Sequence, residues 1–259
     1  MITPILIAKL LIVPSMLLLL TLVGRRYGPA LAGLLSALPV FAGPVLFILA
    51  LEQGNVFASH AAHGTLLAIV AILAFSLTYA WMALSWGVAV CLLCSYATYS
   101  LTAYLLQFVH LPIEQSFAVV IGLTLCAQWA FPKVSTEQQA SAPAGLFDLL
   151  LRMGCGAVLV VFVTYFASTF GSRMSGVMAM FPLMTTVLAG FSHHYSGAPF
   201  AVAMLRGMVY GYFSFAIFCL LLSVSLPNYS LVVSFMIAVP GVLGAQLVAR
   251  YFLIRRQTH

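Results

Sequence analysis

Nine uninterrupted apolar runs, each close to the length of a membrane-crossing helix, constrain this chain more than any other feature. A hydrocarbon core of roughly 30 Å needs about 20 apolar residues per helix. Runs of that size cover residues 3–23, 29–51, 61–82, 86–108, 115–131, 146–168, 174–193, 200–225 and 230–251. The strands of a membrane barrel would alternate over short segments, whereas these runs are continuous. The expected fold class is therefore an all-α integral membrane protein of about nine transmembrane helices, forming one transmembrane domain over residues 1–259. Charge agrees: Lys, Arg, Asp and Glu make up 5% of the chain, against about 25% in soluble domains. That scarcity excludes a cytosolic enzyme, a secreted disulfide module and a disordered protein. It also excludes a nucleic-acid binder, despite the net charge of +6.

The few cations set an orientation, because cytoplasmic ends of membrane helices are enriched in Lys and Arg. With nine spans the termini lie on opposite sides. An outside N-terminus places Arg25, Arg26, Lys133, Arg250, Arg255 and Arg256 in the cytoplasm and leaves Arg173 outside. The expectation is a multi-pass protein of the inner (cytoplasmic) membrane, N-terminus out and C-terminus in. The first run is expected to stay as a helix, since its charges follow the apolar stretch and no small-residue cleavage site is evident. Residues 132–145 are small and polar and read as a linker.

Self-similarity at a constant offset of 143 is the next constraint. Gly28, Gly33, Pro39, Gly54, Phe57, Ala58 and Gly64 fall on Gly171, Gly176, Pro182, Gly197, Phe200, Ala201 and Gly207. Carried outward, the offset lays Lys9 on Arg152 and His63 on Arg206. Much of the match is Gly, Pro and cations rather than Leu and Ala, which recur by chance in any apolar chain. The reading divides the chain into a first repeat at 1–110, an odd helix with the polar linker at 111–145, and a second repeat at 146–259. In the orientation above, four helices on each side of the odd one are inverted copies. Inverted repeats are typical of secondary transporters, in which one sequence in two orientations gives two near-equivalent states. A duplicated scaffold without transport is the plainer alternative.

Pro39 and Pro182 fall inside the second and seventh runs. A proline within a helix removes a backbone hydrogen bond and clashes with the carbonyl one turn earlier. In lipid such a break survives only where it is buried in protein or lines a watery cavity. Paired breaks in matching places point to a binding site between the halves. Ser36, Thr185 and Thr186 could supply hydroxyls there. The glycines around them would serve equally to let helices pack closely.

Ionisable groups within spans are costly and so become site candidates. Lys9, Arg152, Arg206 and His63 qualify, while the acids Glu52, Glu114 and Asp148 sit at helix ends and Glu137 in the linker. Cations without deep acids favour an anionic or zwitterionic substrate, drawn also by the positive ends of half-helices. Snorkelling of the long side chains to the interface is the alternative. The fourth run carries hydroxyls at helical spacing (Ser95, Thr98, Tyr99, Thr102), suited to a path or to packing glue.

Signals for chemistry are weak. His60 and His63 lack the Glu of a His-Glu-x-x-His site, and Cys91 and Cys94 lie in an apolar helix without a redox fold around them. No enzyme, metal or cofactor is expected. The reading is a secondary transporter moving a small organic, anionic metabolite by alternating access, with a non-transporting scaffold or lipid-handling protein as its alternative. Partners reduce to membrane lipid and the small-molecule substrate, with a homo-oligomer left open and nucleic acid excluded.

Overall fold

In lipid every backbone N–H and C=O needs a partner within the protein, so apolar runs of this length must close their hydrogen bonds as helices. The computed structural model describes residues 4–39, 42–134, 145–169 and 181–257, whose regular elements are all helices, without a strand among them. The described helices are α1 (Pro4–Tyr27), α2 (Pro29–Ser36), α3 (Ala42–Gln53), α4 (Asn55–Met82) and α5 (Val88–Leu106). They continue with α6 (Ile113–Ala130), α7 (Leu146–Thr169), α8 (Leu183–Ser196), α9 (Ala198–Ser225) and α10 (Leu231–Gln257). Six contain segments long and apolar enough to cross a membrane: α1, α4, α5, α6, α9 and α10. The chain is an all-helical, multi-pass membrane protein. The Lys9, Arg255 and Arg256 side chains, Arg173, Gly171, Gly176 and linker residues 135–144 lie outside the described residues.

Three runs differ from their sequence reading, and in one of them, 174–193, the described part is helical only from Leu183, with Pro182 ahead of the helix rather than inside it. Residues 29–51 form two helices rather than one, with α2 ending at Ser36 and α3 starting at Ala42 around Pro39. The fourth helix begins at Asn55, ahead of the run read from 61, because Gly54 caps it with φ 88°. Gly197 caps α9 in the same way, with φ 85°. A side chain rarely tolerates this backbone region, so glycine is what lets one helix end and the next begin without a loop. Both α4 and α9 are 28 residues long, and their boundaries are offset by 143.

Helix α9 lies at the centre, packed on α2, α4, α6, α8 and α10. The crossing of α2 over α9 is backbone to backbone. A Cβ on Gly33 would collide with the Met204 carbonyl, one on Gly207 with the Ala30 carbonyl, and one on Gly211 with Ala37 and Leu34. Small residues at such crossings replace the missing hydrophobic drive between helices with close van der Waals contact. Phe75 of α4 and Phe218 of α9, also 143 apart, are fully buried in the core.

Helix directions follow from single contacts. Arg25 at the end of α1 meets Asp148 at the start of α7, and Gly156 midway along α7 packs on Val13 and Leu17, so α1 and α7 run antiparallel. Asn55 Nδ2 donates to the Tyr229 carbonyl at 3.2 Å and Ser59 Oγ to the Ser223 carbonyl at 2.7 Å, so α4 and α9 run antiparallel as well. Helix α6 runs parallel to α4: His63 Nε2 bonds Ser116 Oγ near its start, and Trp81 Nε1 donates to the Ala130 carbonyl at its end.

Candidate functional site

The helices that follow Pro39 and Pro182 start alike, while residues 170–180 ahead of Pro182 lie outside the described residues. The Pro39 carbonyl accepts the Gly43 amide at 2.7 Å, opening α3, and the Pro182 carbonyl accepts the Thr186 amide at 2.8 Å, opening α8. Each proline thus anchors the first turn of the helix that follows it. Pro182 is buried and Pro39 half-buried. Ser36 donates to the Gly33 carbonyl at 2.7 Å, closing the end of α2.

Around Pro182 the polar groups converge. Thr186 Oγ1 donates its single proton to the Pro182 carbonyl at 2.7 Å, so its 2.6 Å contact with the Tyr96 hydroxyl has the tyrosine as donor. Tyr96 also stacks on Phe181, ring centroids 5.1 Å apart, and meets Phe75 edge-on. The buried Tyr212 hydroxyl sits beside Thr185 and Ser76. One turn from the other end of α8, the Tyr79 hydroxyl bonds His193 Nδ1 at 3.2 Å. No side chain caps the N-terminus of α8, where the Leu183 amide donates to the Phe181 carbonyl at 2.7 Å.

The cations are placed differently from their sequence reading. The expectation of cations without acids fails at Arg152: Asp148, one helical turn earlier, takes both its Nε contacts at 3.0 Å. Asp148 also accepts Arg25 Nη2 from α1 at 2.8 Å, and its side chain is 2% exposed. Arg152 reaches on to Ser192 Oγ at 3.4 Å and lies over the Phe191 ring. One carboxylate thus serves both the buried Arg152 and the part-exposed Arg25, and the three groups together carry one formal positive charge in excess. Arg206, half-buried on α9, has no ion pair or hydrogen bond among the described residues. His63 is remote from the Pro182 cluster in partner, since it bonds Ser116 of α6. The Lys9 side chain lies outside the described residues.

The structure thus brings Pro182, Thr185 and Thr186 into one cluster, and keeps Ser36 and Pro39 at the other break. The hydroxyl side of α5 contributes less than its spacing suggests. Ser95, Thr98 and Thr102 bond back to carbonyls one turn earlier in their own helix, the usual retreat of Ser and Thr inside helices. Thr98, toward Thr78, and Tyr96, toward Thr186, bond across to another helix. Sequence reasoning missed Tyr212, Ser76, Tyr79 and the Asp148 partner of Arg152. The last had a visible signal in its i, i+4 spacing, while the others are joined only by tertiary packing. Comparison with protein-family models, with curated proteins and with solved structures finds no match for this chain.

Proposed function

We propose that the chain is a secondary carrier that moves a small organic anion across the membrane by alternating access. In this reading the two halves are inverted copies, with α6 and the linker as the odd segment between them. The observation that carries it is the matched pair Pro39 and Pro182, each with its carbonyl seeding the helix that follows. The antiparallel course of α1 against α7 and of α4 against α9 supports the inversion. So do the matched boundaries of α4 and α9. Broken helices at matched places put uncapped half-helix ends and hydroxyls at the centre of such carriers. Here the uncapped end is that of α8, and the hydroxyls are Thr185, Thr186, Tyr96 and Tyr212. An excess of positive charge in the Arg25, Asp148 and Arg152 triad, together with Arg206, favours a negative substrate.

The test is uptake by the purified chain in proteoliposomes, first across a panel of labelled organic anions and then in variants. Thr186→Val keeps the shape but removes the hydroxyl. Leaving the Tyr96 hydroxyl and the Pro182 carbonyl without this partner costs about 1 to 3 kcal/mol at the site, so uptake at low substrate should fall by about tenfold. Arg206→Gln should lower it comparably. Uptake at the wild-type rate in both variants would remove the site. No uptake of any solute by the wild-type chain would leave a membrane scaffold as the better reading.

A further inference from the structure

A cleft of about 770 Å³ runs along α8, walled by α7 on one side and the start of α5 on the other. Its volume lies within the roughly 300 to 1,000 Å³ of small-molecule sites. Gly190 lies in the floor and adds no side chain to it, with Val88 and Leu92 of α5 close by. The inner end reaches Thr186, the residue that holds Tyr96 at the break. The outer end is formed by His194 and Tyr195. Leu150 and Val158 on the α7 wall are more than half exposed, so this wall faces the surrounding membrane.

Two physical facts limit what such a cleft can hold. Its lining is almost wholly apolar, and stripping a hydrophilic metabolite of water there without new partners costs several kcal/mol per polar group. Its outer end is backed by cations: Phe191 of the floor carries Arg152 at 5.4 Å from its ring centroid, and Arg152 belongs to the triad with Asp148 and Arg25. We infer that the cleft takes an anionic amphiphile that enters sideways from the bilayer. Its apolar tail lies along Gly190 toward Thr186, and its acidic head stays at the cationic end beside His194. This rests on the carrier reading only in naming the substrate class of the same site.

The test uses the wild-type chain in nanodiscs of neutral phosphatidylcholine, with dodecanoate as probe. Cys155 lines the cleft and is exposed, whereas Cys126, also exposed, belongs to α6 outside it. Dodecanoate at about ten times its Kd should slow alkylation of Cys155 about tenfold, the factor set by one-site occupancy, and leave Cys126 unchanged. Dodecanol, with the same tail and no charge, should need about tenfold more for the same protection, the mark of a 1.4 kcal/mol head-group contribution. Gly190→Leu, which fills the floor, should abolish the protection. No slowing at Cys155, or equal slowing at both cysteines, overturns the inference, as does equal potency of the alcohol for the charged head. If Gly190→Leu does not fold, the wild-type comparison of the two cysteines still decides. Protection without uptake in proteoliposomes would sink the carrier reading alone. Uptake of a water-soluble anion without protection of Cys155 would sink the amphiphile alone.

Discussion

Asp148 holds guanidiniums from two helices at once, Arg152 from its own helix and Arg25 from α1. The two ends of this arrangement are unequal. The Arg25 side chain is 22% exposed and can turn to water, whereas that of Arg152 is 4% exposed and has nowhere to go. Removing one partner of a buried pair strands the other charge, at a cost of about 3 to 5 kcal/mol, while replacing both with apolar side chains is often neutral. Asp148→Ala should therefore lower the denaturation midpoint in detergent sharply, and Asp148→Ala combined with Arg152→Met should restore most of the loss. Equal loss in the single and double variants would show that Arg152 does not depend on Asp148. The i, i+4 spacing of the two residues is visible in the sequence. What it does not reveal is that Asp148, at the start of a helix, is buried against a second helix 123 residues away along the chain.

Among elements, the crossing of α2 over α9 has the least tolerance. Three glycines, Gly33, Gly207 and Gly211, bring two backbones into contact, and a methyl group at any of them meets carbonyl oxygen or backbone. Overpacking of a tight contact costs about 1 to 3 kcal/mol, and here the obstacle is a main chain that cannot rotate aside. Gly33→Ala should destabilise the fold by at least that range in chemical unfolding of the detergent-solubilised protein. Gly64→Ala, at a helical glycine of α4 with open space around it, should show no packing loss. Equal effects in the two variants would mean that the crossing is looser than its geometry. The sequence makes these elements legible to an uneven degree. Helix positions follow from apolar length, a local property, whereas a proline alone does not mark an interruption: the run at 29–51 parts around Pro39, while Pro14 and Pro240 lie inside unbroken helices. The start of α4 at Asn55 is harder to see, since residues 55–60 are mixed in polarity and only the positive φ of Gly54 marks a new helix. The Pro182 cluster is legible in half: Thr185, Thr186 and the proline lie in one stretch, while Tyr96, Ser76 and Tyr212 arrive from α5, α4 and α9 through packing alone.

For the whole molecule, the helix directions divide the described charges between two ends. The Trp81 to Ala130 bond and the Tyr79 to His193 bond place the ends of α4, α6 and α8 together. Arg25 and Arg26 close α1, Lys133 follows α6, and Arg250 lies in the last part of α10. The opposite end, marked by the Asn55 to Tyr229 bond, has Glu52 at the close of α3 and Glu114 at the start of α6. Cytoplasmic ends collect Lys and Arg, and acids contribute little to the choice. The end bearing Trp81 should therefore face the cytoplasm. Ser85, exposed between α4 and α5, and Asn228, exposed between α9 and α10, sample the two ends. In a cysteine-free background, Asn228→Cys should react with a membrane-impermeant maleimide added to intact cells, and Ser85→Cys only after permeabilisation. The reverse pattern would turn the molecule over in the membrane while keeping its halves antiparallel. Labelling of both positions from the same side would be incompatible with α4 and α9 each crossing the bilayer between these ends, and the inverted arrangement, with the carrier built on it, would fall.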